Sequence, residues 1–184
     1  ILRLLGLLAK QADPRLLTKR IGEVHPTGVA DLFGARFVSC SEIQAGEKLD
    51  EALVKVATGG DKMKARRMRQ DFIEFIMKAK IVLSGNVPPL IKSRDNGIWR
   101  RICLVPFDVT IPAEQMDREL ESKLARELPG ILAHAVKGCR QYLQSGLQPT
   151  ERMIEAVKDY ADETDAIGDF LTERCRLDPK AKTK

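Results

Sequence analysis

Three short apolar runs constrain this chain more than any other feature: residues 35–40 (ARFVSC), 80–85 (KIVLSG) and 102–107 (ICLVPF). Each has strand length, and the apolar residues run on rather than alternate, the pattern of strands in a buried sheet. Between the first two lies a stretch of helical period, 48–57 (KLDEALVKVA), stopped by Gly59 and Gly60. The period then switches to two over 62–77: Met63 and Ala65 alternate with Lys64 and Arg66, a polar break follows at 69–71, and Phe72, Ile73, Phe75 and Ile76 resume. That predicts a hairpin with a basic tip. Residues 1–10 read as the end of a buried apolar helix, 11–25 as a loop or irregular link, 26–33 as a short helix ended by Gly34, and 97–101 as a turn or a helical turn. After Pro112 the pattern is helical, over 114–127, 129–143, 150–160 and 165–176, with a polar tail at 180–184. The expected architecture is α/β over residues 1–112, followed by a helical subdomain over 113–184.

With 184 residues the chain has room for one domain, or one with a small appendage. Hydrophobic residues at 43% and charged residues at 31% exclude a disordered chain or a fibre. No apolar run approaches the ~20 residues needed to span a bilayer, and a basic leader with a small-residue cleavage site is missing. No membrane partner is expected. The chain opens on Ile1 and so reads as starting within a longer protein. Cys40, Cys103, Cys139 and Cys175 are far apart, and His25 and His134 are the only histidines. Neither a disulfide framework nor a zinc or multi-histidine site is expected, and a cytoplasmic location is the default. Cys40 and Cys103 fall on runs expected to be buried strands.

The charge is unevenly placed. Residues 60–101 hold eleven basic side chains against four acids, a local balance of +7 that leaves −2 for everything else. Such a cluster suits a phosphate-bearing partner, and equally a solvated surface.

Polar groups at the ends of the apolar runs are the candidates for chemistry. Glu42 follows the first run; there a carboxylate can orient an attacking water or hold Mg²⁺ through water, or simply lie exposed in a turn. Asn86 ends the second; its amide can bond a water or a γ-phosphate, or form an Asx turn before Pro88 and Pro89. Arg100 and Arg101 close the segment GIWRR, as a phosphate clamp or as solvated charges beside a core Trp99.

The order of these elements is more specific than any one of them. An apolar strand with Glu, a helix, a basic hairpin, KIVLSGN, a Pro-Pro loop and GIWRRICLVPF succeed one another over residues 34–107, and ELPGILAHAVKG follows. This succession resembles the superfamily 3 helicases, in particular the phage, plasmid and poxvirus-type primase-helicases. The resemblance implies an AAA+-like (P-loop NTPase) core and an ATP-hydrolysing DNA helicase that assembles with copies of itself into a ring, a hexamer, in phage or plasmid replication. It implies ATP and Mg²⁺ for the full-length parent, and single-stranded DNA as partner. By position Glu42 would be the Walker B acid, touching Mg²⁺ only indirectly, and Asn86 the sensor of the γ-phosphate or lytic water. Arg101 would be the arginine finger acting on a neighbouring subunit's ATP, with Arg100 as the other candidate. Lys62, Lys64, Arg66, Arg67 and Arg69 of the channel hairpin would grip DNA phosphates.

Two features depart from that pattern. A G-x-x-x-x-G-K-[ST] loop is absent from the 184 residues, so the chain reads as an N-terminally truncated core, inactive by itself and without nucleotide-binding residues of that kind. Ser41 stands before Glu42, where many ATPases carry a second acid. Two other readings remain open: a non-enzymatic DNA-binding or scaffold module, and another AAA+ ATPase.

Overall fold

A computed structural model of the chain describes residues 1–19, 26–93 and 95–164. His25, Arg94 and the helix expected over 165–176 lie outside the described residues. A first helix, α1 (Leu2–Leu5), and a 3-10 turn (Gly6–Leu8) lead into strand β1 (Ala9–Ala12). Helix α2 (Pro26–Ala30), β2 (Phe37–Ser41) and α3 (Glu51–Gly59) follow. Then come β3 (Lys62–Arg66), β4 (Phe72–Ile76), β5 (Lys80–Ser84) and the short helix α4 (Asn96–Trp99). Three further helices follow among the described residues: α5 (Leu120–Arg126), α6 (Leu128–Ser145) and α7 (Glu151–Glu163).

Strands β1, β2 and β5 form a parallel sheet in that order, with β2 central. Register puts Ala12, Cys40 and Leu83 in one row, and Lys10, Val38 and Ile81 in the row beside it on the same face. That face is the core side: Val38 and Cys40 are fully buried, with Ala12, Ile81 and Leu83 packed against them. The opposite face carries Gln11, Ser39 and Val82, and Val82 is 43% exposed. A parallel sheet is ordinarily covered on both faces, and here one is largely open.

The hairpin β3–β4 is antiparallel and pairs Met63 with Phe75, Ala65 with Ile73 and Arg66 with Phe72. Alternation does the folding: Met63, Ala65 and Phe75 are buried, while Lys62, Lys64 and Arg66 are exposed. An edge-on contact between Phe33 and Phe75, centroids 5.3 Å apart, fastens its inner face beside α2. Helix α3 is bounded as its sequence demands. The Asp50 side chain accepts from Leu53 N at 3.1 Å, and Gly60 ends the helix at φ 85°, a conformation glycine adopts without a Cβ clash.

Two expectations are corrected. Residues 1–10 are not a buried helix: Leu7 is 97% exposed, and the run breaks at Gly6, φ 50°, before strand β1. The tetrapeptide AKQA has no strand signature of its own and becomes one by pairing with β2. Residues 102–107 form no strand; Ile102 and Leu104 touch the core, but Cys103 is exposed and Phe107 is 92% exposed. An apolar run without a neighbouring strand has nowhere to place its backbone hydrogen bonds in a ladder. The helices after 113 also bury little: α5 and α6 have no buried residue, His134 is exposed, and only Tyr160 of α7 is buried.

Candidate functional site

The carboxyl edge of the sheet brings the first two candidates side by side. Ser41 pairs with Ser84 in the last row of the β2–β5 ladder, so Glu42 and Asn86 emerge from adjacent strand ends. Glu42 N donates to Ser84 O at 3.0 Å, which fixes the backbone at the turn away from β2. Both residues are exposed. Glu42 sits at φ 66°, in the left-handed region that non-glycine residues rarely occupy. Strain of this kind persists where surrounding structure imposes it, and it clusters at functional positions.

Glu42 has Ser41 beside it rather than a second acid. Among the described residues no group of three His, Cys, Asp or Glu could hold a metal. The chemistry of this donor set fits contact with a hydrated cation through water, not a chelate. Cys40, one row in from the edge, is buried, which pushes its thiol up to about 11 and keeps it protonated at neutral pH. It is a core residue rather than a nucleophile.

The arginine pair sits on a separate feature, the turn that follows α4. Asp95 caps α4 by accepting from Gly97 N at 2.8 Å. Its other oxygen takes Lys55 Nζ of α3 at 2.7 Å, and this hydrogen bond, with the one from Gly97, holds the carboxyl below its usual 3.8. Glu51 at the start of α3 accepts from Lys92 N at 2.9 Å and Ser93 N at 3.1 Å. Trp99 Nε1 donates to Ser93 O at 3.0 Å, and its ring meets Tyr160 edge-on at 5.2 Å. The Tyr160 hydroxyl donates to Pro89 O. These ties fasten residues 89–93 and 95–101 to α3 and α7.

The two arginines differ within this frame. Arg101 is half-buried; its Nε donates to Thr58 Oγ1 at 3.1 Å and its guanidinium also donates to Gly97 O. Arg100 is exposed, and its charge is felt by Asp95. Thr58, Lys55 and Glu51 went unnoticed in the sequence. A helix of ordinary pattern does not announce which of its polar residues will meet a loop forty residues on. The D-x-G spacing of Asp95 and Gly97, an Asx signal, was readable.

The hairpin forms the third part. Lys62, Lys64, Arg66, Arg67 and Arg69 are all exposed. The tip closes with Gln70 N donating to Arg67 O at 3.1 Å, and Arg69 takes φ 60° there. Arg66, Met68, Arg69, Gln70 and Asp71 line a shallow groove at the tip. The basic residues are therefore gathered on the hairpin, a two-stranded sheet separate from the one whose edge carries Glu42 and Asn86.

No protein-family model matches the chain. Similar proteins occur in viruses, and three of them bear the name "Putative helicase". The one from Acanthamoeba polyphaga mimivirus is 28% identical over 186 aligned residues, covering 91% of this chain and 19% of its own length. The one from Frog virus 3 (isolate Goorha) is 26% identical over 197, covering 96% of this chain and 20% of its own length. A third, from Invertebrate iridescent virus 6, is 31% identical over 94 residues, 49% of this chain and 10% of its own length. The relatives are helicases by name. The chain spans about a fifth or less of the length of these curated relatives.

Proposed function

We propose that this chain is the post-phosphate-loop part of an AAA+-like, superfamily 3 helicase core, working within a longer protein that hydrolyses ATP to move along single-stranded DNA. The observation that carries the reading is the Ser41–Ser84 register, which sets an acid and an amide on neighbouring strand ends of a parallel sheet. Ligands of open α/β sheets bind at that edge. The helicase names of the viral relatives support the same class. Among the described residues β1 and β5 are the edge strands and the 102–107 run pairs with neither, so the sheet has room for further strands, as a larger helicase core would require.

In this reading Glu42 accepts the proton of, and orients, the attacking water, and Asn86 holds that water or the γ-phosphate by its amide. Mg²⁺, when bound with ATP, would neutralise phosphate charge; Glu42 would reach it through water. The geometry favours Arg100 over Arg101 for the finger that reaches a neighbouring subunit, because Arg101 is already committed to Thr58 and Gly97. Arg101 then positions the turn that presents Arg100. An arginine supplied across a subunit boundary makes hydrolysis depend on assembly of the ring. The hairpin cations would hold DNA phosphates.

The test is DNA-stimulated ATP hydrolysis by the full-length protein. Glu42→Gln should lower kcat by at least about a hundredfold, the usual scale of general base catalysis, with nucleotide binding retained. Unchanged turnover would overturn the assignment of Glu42. A protein that binds DNA with steep salt dependence yet hydrolyses no ATP would instead support the non-enzymatic module.

A further inference from the structure

We infer that Phe72 is a base-stacking platform, so that the hairpin reads bases as well as phosphates; this rests on the nucleic-acid reading of the hairpin given above. The outer face of the hairpin is made of three facing pairs: Lys62 with Ile76, Lys64 with Glu74, and Arg66 with Phe72. Phe72 lies at the tip end of that face and is 54% exposed. It takes no part in the hairpin's core, which Met63, Ala65 and Phe75 supply from the opposite face. An apolar ring is thus held in solvent by a strand anchored from behind.

Its neighbours give the exposure a direction. Lys64 Nζ lies 4.9 Å from the ring centroid and the Arg66 guanidinium 5.2 Å. Two cations at one ring are the elements of a single-strand binding site: a π-face for a base, and positive charge for the phosphates on either side of it. The groove lined by Arg66, Met68, Arg69, Gln70 and Asp71 adjoins Phe72 and extends the charged surface around the tip. In the free chain the cations rest on the ring. An exposed cation–π contact is weaker than a base–aromatic stack, so an incoming base can take the ring while the cations turn to phosphate. Stacking of this kind has little sequence preference, as suits a protein that must move along a strand.

The experiment measures binding of the full 184-residue chain, by fluorescence anisotropy at low salt, to an oligothymidylate and to an abasic oligonucleotide of the same length and charge. The wild type should bind the oligothymidylate about 5- to 150-fold more tightly, the span of one base stack. Phe72→Ala and Phe72→Leu should lose that preference while binding the abasic strand as before, and Phe72→Trp should keep it. Retention of the preference in Phe72→Ala, or an equal loss on both strands, overturns the stacking role and leaves the phosphate-binding hairpin standing. Failure of the wild type to bind either strand overturns the nucleic-acid reading, and this inference with it. Circular dichroism of each variant shows whether the hairpin face has been changed without unfolding the chain.

Discussion

Arg101 and Thr58 are joined across the end of α3: Arg101 Nε donates to Thr58 Oγ1 at 3.1 Å, and the same hydroxyl donates to Val54 O at 2.7 Å. A guanidinium thereby sits at the carboxyl end of a helix, where the backbone carbonyls lack partners and the dipole favours positive charge. The neighbouring Arg100 is exposed and has no such anchor among the described residues.

This difference separates the two arginines in an unfolding experiment. Arg101→Ala and Thr58→Val should each lower stability by about 1 kcal/mol, the scale of one hydrogen bond at a partly exposed site, and together by less than the sum. Arg100→Ala should stay within about 0.5 kcal/mol of the wild type. Urea midpoints measure all four. Equal losses at positions 100 and 101 would remove the division of roles between them.

Glu42 gives a prediction of opposite sign. Its φ of 66° costs a non-glycine residue about 1–2 kcal/mol, whereas glycine bears no such penalty. Against this, glycine adds about 0.4–1 kcal/mol of unfolded-state entropy to be lost on folding. Glu42→Gly should therefore leave stability unchanged or raise it by up to about 1.5 kcal/mol. Ser41→Gly, one residue earlier and still in β2, should lower it. Comparable losses at both positions would show that the turn at 42 is unstrained.

Two buried protonated groups set an alkaline limit. Burial pushes the Cys40 thiol from 9.0 to about 11 and the Tyr160 hydroxyl from 10.0 to about 12. The folded chain holds these protons where the unfolded chain has released them. Their contribution is complete below pH 9 and is lost as pH rises through about 11 to 12. Stability measured from pH 8 upward should fall over that window, and Cys40→Ala should flatten its lower part. A fall already complete at pH 9 would place its cause elsewhere. In native protein at pH 8, iodoacetamide should modify the exposed Cys103 and Cys139 well before Cys40.

Local pattern carried much of this architecture. The alternation of Met63 and Ala65 with Lys62, Lys64 and Arg66 is sufficient to orient β3, because a strand's side chains alternate whatever lies beyond it. Helix α3 carried its own start and stop in Asp50 and Gly60. The runs at 37–41 and 80–84 were legible as strands because they are apolar and short. Where pairing alone decides, pattern failed in both directions. Ala9–Ala12 is a strand without the composition of one, and residues 102–107 have the composition without a ladder. A strand's hydrogen bonds belong to its neighbour, and the neighbour's presence is not a local property.

The same division runs through the candidate site. The sequence by itself determined which chemical groups are present: an acid and an amide at the ends of apolar runs, two arginines beside a tryptophan, and five cations around one turn. Tertiary structure decided which of them stand together and which are spoken for. Parallel register brought Glu42 and Asn86 to one edge, Thr58 took Arg101 and left Arg100 exposed, and the hairpin turned Phe72 outward beneath Lys64 and Arg66. The first two outcomes rest on contacts between residues tens of positions apart, which form only when the chain has closed on its core, and the third on cross-strand neighbours six to eight residues apart, which meet only once the hairpin has paired.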